Sequence, residues 1–166
     1  MTRAAIVLCS LLALAGCDEE TVENLLEGKV EVFTIHSADI QGVTGVQDGY
    51  YTWVELQNLD QTYNIGLPAN VPVATRADLV NVAGSVEDTG CAKIPSTAGM
   101  CFDEADNSSC LPNELNEVGL KTYKIDLDNL KAAIDAGFYP TAAQYLIEYK
   151  FNSNLTIQDA ECSSIE

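Results

Sequence analysis

Any mechanism built on an imidazole has one residue to use, because His36 is the only histidine in the chain. It stands beside Ser37 and Asp39, yet neighbours at the end of a strand do not make a triad, whose members are recognised by geometry. His36 is therefore read as a surface or sheet-edge residue. The densest acidic stretch is CFDEADNSSC, which sets Asp103, Glu104 and Asp106 between Cys101 and Cys110. Calcium takes six to eight oxygen ligands in flexible geometry, and an acidic loop with free backbone carbonyls could supply several. The stretch lacks the ligand order and the glycine of an EF-hand, so a solvated loop is the simpler expectation, with calcium the one cofactor left open. Glycoside hydrolysis needs two carboxylates about 5 to 10 Å apart. With 25 Asp and Glu in the chain, some pair meets that distance by chance, and no catalytic residue is assigned. Tyr50, Tyr51 and Trp53 form the one dense aromatic cluster and the candidate binding platform, although the same pattern also describes a core face.

The first sixteen residues carry Arg3, an apolar run from Ala4 to Leu14, and the small residues Ala15 and Gly16. These are the three parts of a secretory signal, and the run falls short of the about 20 residues a spanning helix needs. The sequence Leu14-Ala15-Gly16-Cys17 resembles the lipobox of bacterial lipoproteins at every position. The resemblance implies cleavage before Cys17, a diacylglycerol on its thiol, and acylation of the new amino terminus. Two or more chains hold a protein on a bilayer stably where one holds it marginally. Residues 1–16 are then a signal peptide, 17–28 a lipidated cysteine and acidic tether, and 29–166 a single domain. The expected location is the bacterial cell envelope, facing the periplasm or exposed on the outer membrane. Asp18 resembles an inner-membrane retention signal, whereas Asp18-Glu19-Glu20 resembles acidic surface-export signals, so the membrane stays open.

With Cys9 in the signal and Cys17 lipidated, Cys91, Cys101, Cys110 and Cys162 remain. An even set in an exported chain implies two disulfides and allows three pairings. The expected one joins Cys91 to Cys101 and Cys110 to Cys162. None of the spacings is the close pair of a zinc or thioredoxin-like site. The net charge of −17 repels phosphate backbones and anionic lipid heads, which argues against nucleic-acid partners and electrostatic membrane docking.

The elements that must position these residues are mostly strands. Lys29 to His36 is rich in β-branched and aromatic residues, with apolar positions on both faces. Asp48-Gly49 is the strongest short hairpin signal, leading into a strand over Tyr50 to Gln57, with another near Tyr63 to Leu67. Thr75 and Asp78 have capping-box spacing, but LVNVAGSV also alternates, and a strand is preferred there. Residues 84 to 119 are polar and cysteine-rich and read as an excursion tied by disulfides. A strand at LKTYKID, a short helix at DLDNLKAAIDAG capped by Asp126 or Asp128, and a strand at AAQYLIEYKFNSNLTI complete the chain. In that helix Leu127, Leu130 and Ile134 are expected inward.

The whole reads as mainly β: one β-sandwich-like domain with a short helix in its second half and a disulfide-tied loop, the alternative being a two-layer α+β arrangement. The expected function is a non-enzymatic, lipid-anchored envelope protein presenting a binding or assembly domain to an unknown envelope or surface partner. Its rivals are a glycan hydrolase using paired carboxylates and a calcium-dependent adhesion module.

Overall fold

The computed structural model describes residues 19–68, 71, 74–97, 101–104, 107–142 and 156–166, with backbone alone at 19–22, 101–104 and 107–109. The chain is mainly antiparallel β. Its spine is the pairing of two long strands, β1 (Lys29–Ile40) and β6 (Leu115–Asp126), in register from Lys29 opposite Asp126 to Ile40 opposite Leu115. Around them stand β2 (Gly49–Thr52), β3 (Glu87–Ile94), β7 (Tyr139–Pro140) and β8 (Gln158–Ala160), in the order β2-β1-β6-β3-β8 with β7 also on β1. A separate hairpin pairs β4 (Cys101–Glu104) with β5 (Asn107–Cys110).

Residues directly opposite on paired strands share a face, so the register sorts the sheet into two sides. One side presents Phe33, Ile35, Ala38 and Ile40 of β1 with Leu115, Val118 and Leu120 of β6 and Ala92 and Ile94 of β3. The other presents Val30 and Val32 with Tyr123 and Ile125. The apolar positions of β1 thus change from odd to even between Ile35 and Ala38. The register shift between Ile35 and Ser37 accommodates this, for His36 is the extra residue of a bulge. A second shift, between Asp39 and Ile40, leaves Asn116 as the extra residue on β6.

Four α-helices are described, where the sequence was read for one. The first core is closed by α2 (Trp53–Tyr63), through Trp53 and Leu56, and the second by α3 (Arg76–Ala83), through Leu79 and Ala83, together with Ala133 and Phe138. Helices rather than a second large sheet therefore lie against these faces. Both α2 and α3 fall where strands were expected. The Thr52 hydroxyl accepts from the Glu55 amide while the Glu55 carboxylate accepts from the Thr52 amide at 2.8 Å, and Thr75 and Asp78 repeat the exchange. Two otherwise orphaned donors are satisfied at each start, and burial at i, i+3 and i, i+4 does the rest. Helix α2 runs through Tyr63 and ends at Asn64, which is left-handed at φ 51°, so no strand forms at Tyr63 to Leu67.

The short helix of the second half is present as α4 (Leu130–Asp135), after a 3-10 turn at Leu127–Asn129. Neither acidic cap forms, because Asp126 instead takes the Lys29 ammonium at 2.6 Å. Its buried residue is Ala133, with Leu130 packed beside it, while Leu127 is 37% exposed. The β1–β2 hairpin closes through residues 41–48 rather than a two-residue turn, the Asp48 carboxylate accepting from the Gly42 amide at 2.9 Å. The acidic tether is partly helix: α1 (Glu19–Leu26) precedes β1, and its Asn24 is buried. Most of the expected strand at AAQYLIEYKFNSNLTI lies outside the described residues.

The disulfide found joins Cys91 to Cys162, with Cα atoms 5.1 Å apart and a sequence separation of 71. This overturns the expected Cys91–Cys101 and Cys110–Cys162 pairs. The reason is topological, since β8 lies antiparallel on the outer edge of β3, with Cys91 opposite Ala160. Cys110 is also disulfide-bonded, and the β4–β5 register sets the Cys101 backbone opposite it.

If residues 53–63 are helical with Trp53 inward, Trp53→Ala will cost about 3 to 5 kcal/mol. Val54, 54% exposed on the same turn, will tolerate alanine within about 0.5 kcal/mol. Urea unfolding checks both figures, and Leu56→Ala tells the helix from a strand. Leu56 is fully buried three residues from Trp53 and should lose about 2 to 5 kcal/mol, whereas an alternating strand would turn the two to opposite faces.

Candidate functional site

The second side of the sheet is apolar only over one half. Beyond Thr34 the same face carries Ser37 and Asp39 of β1, Thr52 and Tyr50 of β2, Lys121, Gly119 and Glu117 of β6, and Cys91 and Lys93 of β3, all placed by the register. Asp39 is opposite Tyr50 on one flank and Glu117 on the other. The result is a polar row across four strands, in which Ser37, Gly119 and Cys91 are buried and the other side chains half-buried.

Glu117 is the hub of this row. Its carboxylate accepts from the Tyr50 hydroxyl at 2.6 Å and from the Lys93 ammonium at 3.0 and 3.2 Å. The Tyr50 hydrogen bond, followed by the Lys93 ammonium, holds the Glu117 carboxyl below the usual range. Burial and then the Glu117 carboxylate push the Tyr50 phenol well above its ordinary value, so it remains a donor. Asp39 accepts from the Gln41 side-chain amide at 2.8 Å. The row presents donors and acceptors whose positions these hydrogen bonds fix.

Within the row, the Ser37 hydroxyl donates to the backbone carbonyl of Ile165, and the Lys121 ammonium lies 3.5 Å from the Glu166 carboxylate. Ile165 is fully buried. It fits because residue 119 is glycine: a Cβ there would come within 2.8 Å of the Ile165 Cβ and 2.4 Å of the Ser37 Oγ. His36 sits nearby on its bulge. Burial, aided by the Lys121 charge, lowers its pKa against the opposing pull of Glu166. His36, Ser37 and Asp39 form no triad, since the serine and aspartate are engaged elsewhere.

The expected aromatic platform is divided. Trp53 is 1% exposed in the first core. Tyr51 packs against that same core and donates its hydroxyl to the Gln47 carbonyl, while Tyr50 stands on the opposite face. Of the three, only Tyr50 belongs to the polar row. The stretch read as a loop with free carbonyls is a hairpin, in which Asp103 stands opposite Ser108 and Glu104 opposite Asn107. Asp106 lies outside the described residues, as does Cys17. Among the described residues no group of three or more His, Cys, Asp or Glu is placed to hold a metal ion.

Asp39, Lys93 and Glu117 were missed by the sequence reading. Asp39 was weighed only as a neighbour of His36, and Lys93 and Glu117 fall in residues 84 to 119, read as a disulfide-tied excursion although they hold β3 and the start of β6. Nothing in one sequence says that position 39 faces position 117. No family model matches the chain, and no curated protein or solved structure matches it either.

Glu117 supplies a pH-dependent contribution whose sign is set by its lowered pKa. The unfolded chain binds the proton more readily, so the stabilisation is present above the ordinary value of 4.5 and is lost as pH falls through the lower folded value. Glu117→Gln should lower stability by about 1 kcal/mol at pH 7, a charge-assisted bond discounted for partial exposure. The difference from the parent protein should close below pH 4.5, as read by denaturant titration across pH.

Proposed function

We propose that the protein is a lipid-anchored, non-enzymatic component of a bacterial cell envelope that presents the polar sheet face as a binding surface. The observation that carries the reading is the Cys91–Cys162 disulfide, in a chain whose Cys110 is disulfide-bonded too. Disulfides of this kind persist in oxidising, extracytoplasmic compartments. They agree with the lipobox resemblance at Leu14 to Cys17, which supplies the export route and the acyl anchor on Cys17. Among the described residues no helix is long and apolar enough to cross a membrane, and the proposed anchor requires none.

Binding is favoured over hydrolysis by the state of the carboxyls. A glycosidase acid must hold its proton, with a raised pKa. The Glu55, Asp78 and Glu117 carboxyls depart from their ordinary values in the other direction, downward. The cross-strand neighbours Asp39 and Glu117 nevertheless give the hydrolase reading a definite pair of residues. Glu117 has both oxygens engaged by Tyr50 and Lys93, which suits a fixed acceptor better than a proton donor.

Detergent phase partitioning of the protein from a bacterial expression host tests the anchor. The parent chain should enter the detergent phase with a mature mass that begins at Cys17 plus acyl groups, and Cys17→Ser should remain aqueous. A parent chain that is aqueous and still carries residues 1–16 would remove the lipoprotein reading. Release of oligosaccharide products from peptidoglycan or capsular glycans, abolished by Asp39→Asn, would replace the binding reading with the hydrolase.

A further inference from the structure

Residues 158–166 are held to the sheet in an unusual way. Strand β8 adds only Gln158, Asp159 and Ala160 to the edge of β3, opposite Lys93, Ala92 and Cys91. Beyond it a 3-10 turn at Cys162–Ser164 carries the chain across the edge onto the polar face. There the Ile165 side chain fills the slot over Gly119, the Ile165 carbonyl accepts from Ser37, and Glu166 meets Lys121. Every other described residue of the segment is exposed, apart from Ala160, which is half-buried. A short edge ladder, one buried side chain and a partly exposed ion pair are weak restraints against the ordering of nine residues. The one strong restraint is the covalent bond from Cys162 to Cys91.

We propose that segment 158–166 is a disulfide-held cap, released by dithiol reductants, that covers a peptide-type slot built from Gly119, Ser37 and Lys121. The slot has the parts of strand-addition recognition: a sheet edge for main-chain pairing, a pocket for one apolar side chain, and a cation for the acidic residue after it. Its occupant here is the chain's own Ile165-Glu166. The two cysteines differ in exposure, Cys162 being exposed while Cys91 is buried at 8%. A dithiol reductant therefore attacks the Cys162 sulfur, forming a mixed disulfide as the S–S bond breaks and the Cys91 thiolate leaves. The reductant's second thiolate then displaces Cys162. The two electrons come from the dithiol, which ends as its own disulfide, and both cysteines take up protons to become thiols. Release of the cap opens the slot beside Lys93 and Glu117, and so enlarges the polar face. The proposal does not depend on the lipid anchor.

Hydrogen exchange read by mass spectrometry on the full chain tests the cap, in the oxidised protein, after dithiothreitol, and in Cys162→Ser. Dithiothreitol also opens the disulfide at Cys110, and the variant leaves that one intact. The cap predicts that amides of 158–160 exchange at least tenfold faster in both the reduced protein and the variant, while those of 30–35 and 120–125 keep their protection. Protection of 158–160 that survives in either state would overturn the proposal. Loss of protection in 30–35 and 120–125 alongside it would overturn it too, because the bond would then brace the whole domain.

Discussion

The rest of the structure depends on the one-residue slip at His36. Side chains alternate along a strand with a period of two, so a change of one residue sends everything beyond it to the other face. Before the slip, Phe33 and Ile35 enter the first core; after it, Ala38 and Ile40 do. Were His36 paired as a regular residue of the strand, Ala38 and Ile40 would face the polar row, and Ser37 and Asp39 would enter the core beside Trp53. The same slip thus keeps the first core continuous and delivers Ser37 and Asp39 to the face where Tyr50, Glu117 and Lys93 meet them.

That division gives the sheet two different surfaces. One side is covered along its length by α2 and the segments that follow it, and Trp53 and Leu56 are sealed inside. The other is covered at one end by α3 and α4 and left polar at the other, where hydrogen bonds replace burial as the means of fixing side chains. Glu117 is held by two partners from two strands, so the row is prearranged rather than assembled on demand, and prearranged polar groups lose less on binding. A strongly acidic surface keeps two of its few cations, Lys93 and Lys121, on this face. Each is paired with a carboxylate, at Glu117 and Glu166 respectively.

Legibility in the sequence followed the range of the interaction that decided each element. The spine was readable in part, because β-branched residues in Lys29 to His36 and alternation in LKTYKID are local signals, and the short helix before Gly137 was readable for the same reason. Residues 37–40 of β1 and 115–119 of β6 were not read as strand. Helices α2 and α3 were misread although their capping boxes are written in Thr52-x-x-Glu55 and Thr75-x-x-Asp78. Alternation in eight-residue windows competed with the caps, and the burial of Trp53 and Leu79 against distant strands decided the outcome. The disulfide pairing was out of reach, for Cys91 meets Cys162 only because β8 returns to the edge of β3. The candidate site failed to show for the same reason: Asp39, Tyr50, Lys93 and Glu117 become neighbours through register, which one sequence does not record.

The most direct test of this account is to delete His36 and to compare that variant with His36→Asn by urea unfolding and near-ultraviolet circular dichroism. Deletion should keep the cooperative transition and the fixed aromatic signal, because Ile35 and Ser37 already pair with the adjacent residues Leu120 and Gly119 and become neighbours on the strand with residues 37–40 on their present faces. The substitution keeps the extra residue and should shift stability by no more than about 1 kcal/mol. A deletion variant that loses the cooperative transition would contradict the account, since His36 would then be a paired residue of the strand and not its extra one.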